Sequence, residues 1–346
     1  MSQMRPVSVV IPNYNGAHLL RQNLPSVLQA LAWYSGKRRE DMDAQNTESS
    51  RLQQVIVIDD ASADRSIEVL TEEFPSVEIV RHPQNLGYSQ AVFSGVQAAN
   101  NDIVILLNSD VSPREDFLAH LLDPFAEPGV FAVSPLVYDE HGEPLQASWN
   151  RAELKKGRLM TRKWAPSELA QATGSATRLC HLFASGGSMA LRRAGFLELG
   201  GFLDIYRPFY YEDMDLGVRA WRKGWQVVFE PRSVVVHPQG STINRFYKRW
   251  RVKAVMQRNR LLLQWIHLPP KVLITAHLPR LFIRYLEHAL RLDGVAWLGL
   301  FWAFAKLPGV FAARRIMKAP GWRNLHEALR PMRGLTSGPG KGSSST

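Results

Sequence analysis

The chain has 346 residues, 45% hydrophobic and 21% charged, a composition that excludes wholesale disorder and leaves room for one large α/β domain plus an appendage. A single cysteine, Cys180, excludes an internal disulfide and fits a reducing compartment. The net charge of +11 is unevenly spread: residues 240–346 hold 19 Lys/Arg against 3 Asp/Glu, whereas residues 1–239 hold 23 against 28. An acidic front therefore precedes a basic back suited to an anionic surface.

Apolar, β-branched runs at residues 7–11, 54–58, 77–80, 103–107 and 130–133 read as buried strands. Segments of helical character lie between most of them, at 17–33, 65–74, 89–99 and 114–125. That alternation predicts a doubly wound, mainly parallel sheet, whose ligands bind beyond the carboxyl ends of the strands. Residues 34–53 and 141–177 show no clear period and read as surface insertions. The first apolar run is too short for the core of a secretory leader, so a cytoplasmic location is expected.

The residues that follow the strands are polar. After the first comes IPNYNG, with Pro12, Asn13, Tyr14 and Asn15 at the ligand edge; after the second comes IDDASAD, with Asp59 as the better ligand candidate. Asp60, Ser62 and Asp64 serve equally as caps of the helix starting near residue 65. The run VILLNSDV delivers Asp110 to the same edge, either as an oxygen ligand for Mg²⁺ or Mn²⁺ or as a cap. In FYYEDMDLGVRAWRKGW, the acids Glu212, Asp213 and Asp215 open an amphipathic helix; Asp213 is the candidate general base, and Tyr211 and Trp221 are candidate faces for an acceptor. His237 ends a further strand-like run and is a candidate metal ligand.

The ordered set SVVIPNYNG, VIVIDDASAD, NLGYSQAVFSG, VILLNSDV, SGGSMALRRAGFLELGGF, YYEDMDLGVRAWRKGW and HPQGS resembles the family-2 glycosyltransferases, particularly their rhamnosyltransferase-like branch. The resemblance covers roughly residues 7–241. It implies a GT-A fold, a nucleotide-sugar donor carried on dTDP or UDP, and transfer with inversion. Under it Asp59 contacts the base, residues 12–15 with Asn85, Gly87, Ser109 and Gly187 border the nucleotide sugar, Asp110 is the acid of a degenerate metal motif, His237 is a second ligand, and Asp213 is the base with Glu212 beside it. Two departures stand out: Asn108 and Ser109 precede the lone Asp110, and Phe93 replaces a common asparagine.

Residues 245–265 are basic and aromatic, residues 281–292 have amphipathic helical spacing, and the apolar run 295–305 is too short to span a bilayer. The expected division is a catalytic domain at 1–241, a basic amphipathic helical appendage at 242–333 that associates with the inner face of the plasma membrane, and a disordered tail at 334–346. A lipid-linked saccharide acceptor in cell-surface polysaccharide synthesis fits that division. No reader motif for nucleic acid accompanies the charge. The rival reading is a carbohydrate-binding or scaffolding protein on a transferase fold. Oligomeric state is not legible.

Overall fold

The computed structural model describes residues 5–40, 53–162, 164–173, 179–238 and 247–332. The expected tail, most of the expected 34–53 insertion and the residues Gly240 and Ser241 lie outside them. In chain order the elements that matter here are β1 (Val7–Asn13), α1 (Ala17–Glu40), β2 (Gln53–Asp59), α2 (Ser66–Glu73), β3 (Glu78–Arg81), α3 (Tyr88–Ala98), β4 (Ile103–Leu107), β5 (Ser112–Pro113), α4 (Phe117–Leu121) and β6 (Val130–Tyr138). There follow β7 (Arg151–Lys155), β8 (Arg158–Arg162), α5 (Pro166–Thr173), β9 (Leu179–Cys180), β10 (Ser188–Arg192), α6 (Arg193–Glu198), α7 (Glu212–Arg222) and β11 (Gln226–Val236). The chain continues with α8 (Arg249–His267), α9 (Leu278–Leu290), α10 (Gly294–Phe304), α11 (Leu307–Ile316) and α12 (Leu325–Ala328).

Among the described residues nine strands form one sheet in the order β3-β2-β1-β4-β10-β6-β11-β5, with β9 on β11. Strands β1, β2, β3 and β4 are parallel, and β6 runs parallel to β11. The sheet is mixed because β10 inserts antiparallel between β4 and β6. Alternation sorts the core into two layers. Val10, Ile56, Ile58, Val104 and Leu106 face α3, α7 and α8, while Val9, Ile11, Val55, Ile103, Ile105 and Leu107 face α1, α2 and α4. Both faces are covered, which is why these strands read as continuous apolar runs. Helix α3 lies so close to β1 and β2 that a Cβ at Gly95 would clash with the side chains of Val10 and Ile58.

Several sequence expectations change in the structure. The helix expected at 17–33 continues to Glu40, and that at 114–125 breaks into α4 and a 3-10 turn at Asp123–Ala126, where Pro124 cannot donate to the helical ladder. Residues 141–177 are not irregular throughout: β7 and β8 form a hairpin with Lys156 and Gly157 at φ 49° and 71°, and α5 follows. Helix α8, which the sequence places in the appendage, buries Val255, Leu261, Leu262, Leu263 and Ile266. Most of these join the same apolar cluster as the sheet.

Candidate active site

The switch in strand order between β1 and β4 leaves a crevice at their carboxyl ends, and most of the predicted polar residues gather there. Asn13 and Asp59 are partners in the β1–β2 register, and Asn13 Nδ2 donates to Asp59 Oδ1 at 3.4 Å. Asp59 also accepts from Ser62 N at 3.2 Å and is fully buried. Asn15, at φ 52°, donates through its backbone N–H to Ser62 Oγ at 2.9 Å and accepts at its side-chain Oδ1 from Ala63 N at 2.8 Å, stitching the two loops together. Pro12 pairs with Ile58, and Tyr14 stands 41% exposed at the rim.

Asp60 is not a helix cap. Its carboxylate accepts from Leu86 N and Gly87 N, both at 2.8 Å, and faces His82 Nδ1 at 2.7 Å, so it ties the Asn85–Gly87 turn to β2. Gly87 takes φ 83°, a conformation natural to glycine, and the Asn85 amide donates to Asp60 O at 3.4 Å. Asp64 does cap: it accepts from Ser66 N at 3.0 Å and from Ala17 N at 2.9 Å, serving both α2 and α1.

On the other side of the crevice, Asn108 N donates to Gly187 O at 2.9 Å and Ser109 O accepts from Asn23 at 2.9 Å, which fixes the turn that carries Asp110. The short strand β5 pairs with the end of β11, Val236 opposite Ser112, and so brings His237 to Asp110. His237 Nε2 and Asp110 Oδ1 face each other at 3.3 Å. Both atoms are shut from solvent, and neither has a hydrogen-bond partner among the described residues. A buried oxygen and imidazole nitrogen left unpaired fit a divalent cation bound between them. Among the described residues no third His, Cys, Asp or Glu joins the pair, so the remaining ligands would come from donor phosphates.

Glu212 and Asp213 reach the crevice from the start of α7. Asp213 Oδ2 accepts from Gly186 N at 3.3 Å, and Gly186 O accepts from the Tyr88 hydroxyl at 2.7 Å. Burial, then the charges of Glu212, Asp213 and Asp110, drive the Tyr88 hydroxyl well above its ordinary range, so these acids share one site. Burial raises the Asp213 carboxyl, and burial together with Asp213 raises Glu212 to about 8. The pair thus loses its protons in separate steps. Of the two, Glu212 is held protonated into the neutral range. A base must be ionised, so activity is expected to rise with pH on a limb above the usual carboxylate range, then fall near pH 8 as a second charge forms beside the donor diphosphate. A pH–rate profile of Glu212→Gln should lose the falling limb; a falling limb that persists in this variant contradicts the assignment.

Behind the pair, the loop before α7 carries two successive left-handed residues, Tyr210 at φ 70° and Tyr211 at φ 77°. Helix α8 holds them in place. Asn259 is fully buried, and its Nδ2 lies 2.6, 2.9 and 2.9 Å from the carbonyls of Tyr206, Phe209 and Tyr210. Asp215, one turn into α7, is fully buried between Arg219 Nε at 2.6 Å, His267 Nε2 at 2.8 Å and the Tyr206 hydroxyl at 3.0 Å. Burial alone would raise this carboxyl, but Arg219 and His267 more than offset it and hold it below the ordinary range.

Two acceptor candidates separate here. Tyr211 stands half-buried immediately before Glu212, whereas Trp221 is 3% exposed and donates through its indole to His181 O at 2.9 Å. Trp221 is a core residue and offers no face to an acceptor. Sequence reasoning missed Asn259 and His267 altogether. Their signal was a set of polar residues on the apolar face of a basic helix, at 258–259 between Val255 and Leu262 and at 264 and 267 beside Ile266.

A mixed sheet with its crevice at the β1–β4 switch, Asp110 and His237 on one side and Glu212 and Asp213 on the other, is the arrangement of a GT-A type fold. The chain belongs to glycosyl transferase family 2, whose model matches residues 8–199, and it is a glycosyltransferase. It is similar to the N-acetylglucosaminyl-diphospho-decaprenol L-rhamnosyltransferase of Mycobacterium tuberculosis, 26% identical over 211 residues, covering 55% of this chain and 68% of that one. It is also similar to the pre-mycofactocin glycosyltransferase of that organism, 27% identical over 250 residues, 71% of this chain but 45% of that one. Among solved structures, GalNAc-T7 with UDP, GalNAc and Mn²⁺ superposes with a TM-score of 0.55 at 19% identity, over 77% of this chain and 49% of that one. The mannosyltransferase PcManGT of Pyrobaculum calidifontis, with GDP-Man and Mn²⁺, gives 0.51 at 17%, over 97% and 84%. At such identities these two establish the fold. This chain spans less than half the length of both the pre-mycofactocin enzyme and the GalNAc-T7 chain.

Proposed function

We propose that the protein moves a sugar from a nucleoside diphosphate donor, dTDP- or UDP-linked, to a hydroxyl of a lipid-linked saccharide at an anionic membrane surface, in the synthesis of a cell-surface polysaccharide. One observation carries the catalytic part: the Asp110–His237 pair and the Asp213 carboxylate, from distant parts of the sequence, meet around Tyr88 at a single sheet edge. Asp213 takes the proton of the acceptor hydroxyl as its oxygen attacks the anomeric carbon and the bond to the diphosphate breaks, so configuration inverts. Mg²⁺ or Mn²⁺ held by Asp110 and His237 would supply charge neutralisation for the departing diphosphate. The mycobacterial relative's name, a rhamnosyltransferase acting on a diphospho-decaprenol, supports rhamnose as the sugar and a lipid carrier for the acceptor. The lone cysteine is compatible with the cytoplasmic side.

The membrane part rests on the helices after α8. Helix α10 packs its small residues, Ala296, Gly299 and Ala303, against α8 and turns Trp297, Phe301 and Phe304 outward, 45%, 71% and 52% exposed. Phe282, Leu286 and Leu290 of α9 and Phe311 of α11 are exposed as well, with Arg280, Arg291, Lys306 and Arg315 around them. Such a surface fits headgroups and acyl chains together. No single described helix is long and apolar enough to cross a membrane; α10 and α11, bent by 54°, pass that test only as a pair. The intact protein should float with phosphatidylglycerol vesicles at low salt, and a Phe282→Ser, Phe301→Ser, Phe311→Ser variant should stay in the pellet. Failure of the intact protein to float would remove the membrane reading.

A further inference from the structure

Three arginines that the transfer step does not use converge beside the catalytic pair. Gln257, Arg260 and Gln264 share one face of α8. Gln264 clasps β8: its Nε2 donates to Leu159 O and its Oε1 accepts from Leu159 N, both at 2.8 Å. Gln257 Nε2 donates to the Tyr285 hydroxyl of α9 at 3.1 Å. Arg158 precedes Leu159 and Arg284 precedes Tyr285, so the two clasps set both arginines around Arg260, and all three are half-exposed. Burial and the fields of Arg284 and Arg158 hold Arg260 below its ordinary range; its guanidinium donates to Gln257 Oε1, and the titratable groups whose fields reach it are Arg284, Tyr211, Arg158 and Tyr285. Among the described residues none of the three guanidinium groups is ion-paired to a carboxylate, and groups gathered so are a ready receptor for a multiply charged oxyanion.

The surroundings say which oxyanion. On one flank stands Tyr211, the residue before Glu212 and Asp213, whose hydroxyl lies within the field of Arg260. On the other flank α9 presents Phe282, Ile283 and Leu286, 67%, 56% and 50% exposed. A reacting carboxylate, a cationic seat and an apolar strip thus follow one another, in the order of saccharide, phosphate and hydrocarbon in a lipid-linked acceptor.

Resting on the transferase reading above, we propose that Arg158, Arg260 and Arg284 seat the diphosphate of the acceptor, a saccharide joined through that diphosphate to a long isoprenoid-type chain that lies along α9. The seat is distinct from the donor site at Asp110 and His237. It makes the enzyme discriminate a phosphorylated lipid carrier from a neutral glycolipid.

The test is binding of geranylgeranyl diphosphate and of geranylgeraniol to the full chain in detergent with EDTA, where metal-dependent donor binding is silent. The diphosphate should bind at least about tenfold more tightly than the alcohol, and Arg260→Gln or Arg284→Gln should each erase most of that preference. Asp110→Ala should leave it unchanged. Retained Mn²⁺-dependent nucleoside diphosphate binding in Arg260→Gln reports an intact fold and keeps the donor reading separate; should that variant fail to fold, Arg284→Gln carries the test. Equal binding of alcohol and diphosphate overturns the proposal, as does loss of the probe in Asp110→Ala, which would place it in the donor site. It is equally overturned if Arg260→Gln weakens flotation with phosphatidylglycerol vesicles while leaving geranylgeranyl diphosphate affinity intact, since the seat would then serve bilayer headgroups.

Discussion

Replacing Asp213 by Asn is expected to lower kcat by about a hundred- to ten-thousand-fold while changing the Kd for a nucleoside diphosphate by less than about threefold. The split follows from the geometry. Asp213 is held by Gly186 N on the α7 side of the crevice, while the cation seat is built from the ends of β4 and β11. Asparagine preserves the volume and can still accept from Gly186 N, but it cannot take a proton from the attacking hydroxyl. Single-turnover transfer, with calorimetric donor binding in parallel, reads both quantities. A variant that keeps most of its turnover removes Asp213 from the role of base, and one that loses donor binding in step shows that its role is in the donor site.

The second large effect is on stability. Asp215→Ala should cost about 3–5 kcal/mol in urea unfolding, because it strands Arg219 and leaves His267 without its acceptor in a region closed to water. Arg219 keeps only its bonds to the carbonyls of Leu199 and Gly201. Asp215→Asn should cost less, since an amide oxygen still accepts from one of the three donors. A loss below about 1 kcal/mol for Asp215→Ala would mean that the triad contributes little, and that Arg258 and Asn259, through the loop before α7, hold α7 to α8.

These two aspartates, two positions apart on one helix, show how far the sequence carries the argument. The strands were legible because both faces of each are buried, so β-branched runs announce them; 103–107 coincides with β4. The strand-end residues Asp59, Asp110 and His237 were legible for the same reason. What joins Asp110 to His237 is β5, a strand of two residues that no periodicity can reveal. The acids 212, 213 and 215 look alike in sequence as the first turn of an amphipathic helix. Only the packing of α8 assigns 215 to structure, with His267 fifty-two residues away. Whether Trp221 belongs to a ligand face or the core was open in the sequence, because an amphipathic helix with aromatic residues reads the same in either case. In α8 the basic composition hid the core side: Arg258 and Asn259 are 7% and 0% exposed, and they bind backbone carbonyls of the loop that leads into Glu212 and Asp213. The β7–β8 hairpin escaped notice because its strands are short and mixed in polarity, although Lys156-Gly157 marks its turn.

The central claim, that one sheet edge holds a nucleoside diphosphate through a cation on Asp110 and His237, is tested most directly by calorimetric titration of UDP, dTDP and GDP with and without Mn²⁺, repeated on Asp110→Ala. Metal-dependent binding of one of these carriers, lost in Asp110→Ala, is the expected result. No binding of any of them at millimolar concentration with Mn²⁺ present would contradict the account and favour a carbohydrate-binding or scaffolding role on the same fold.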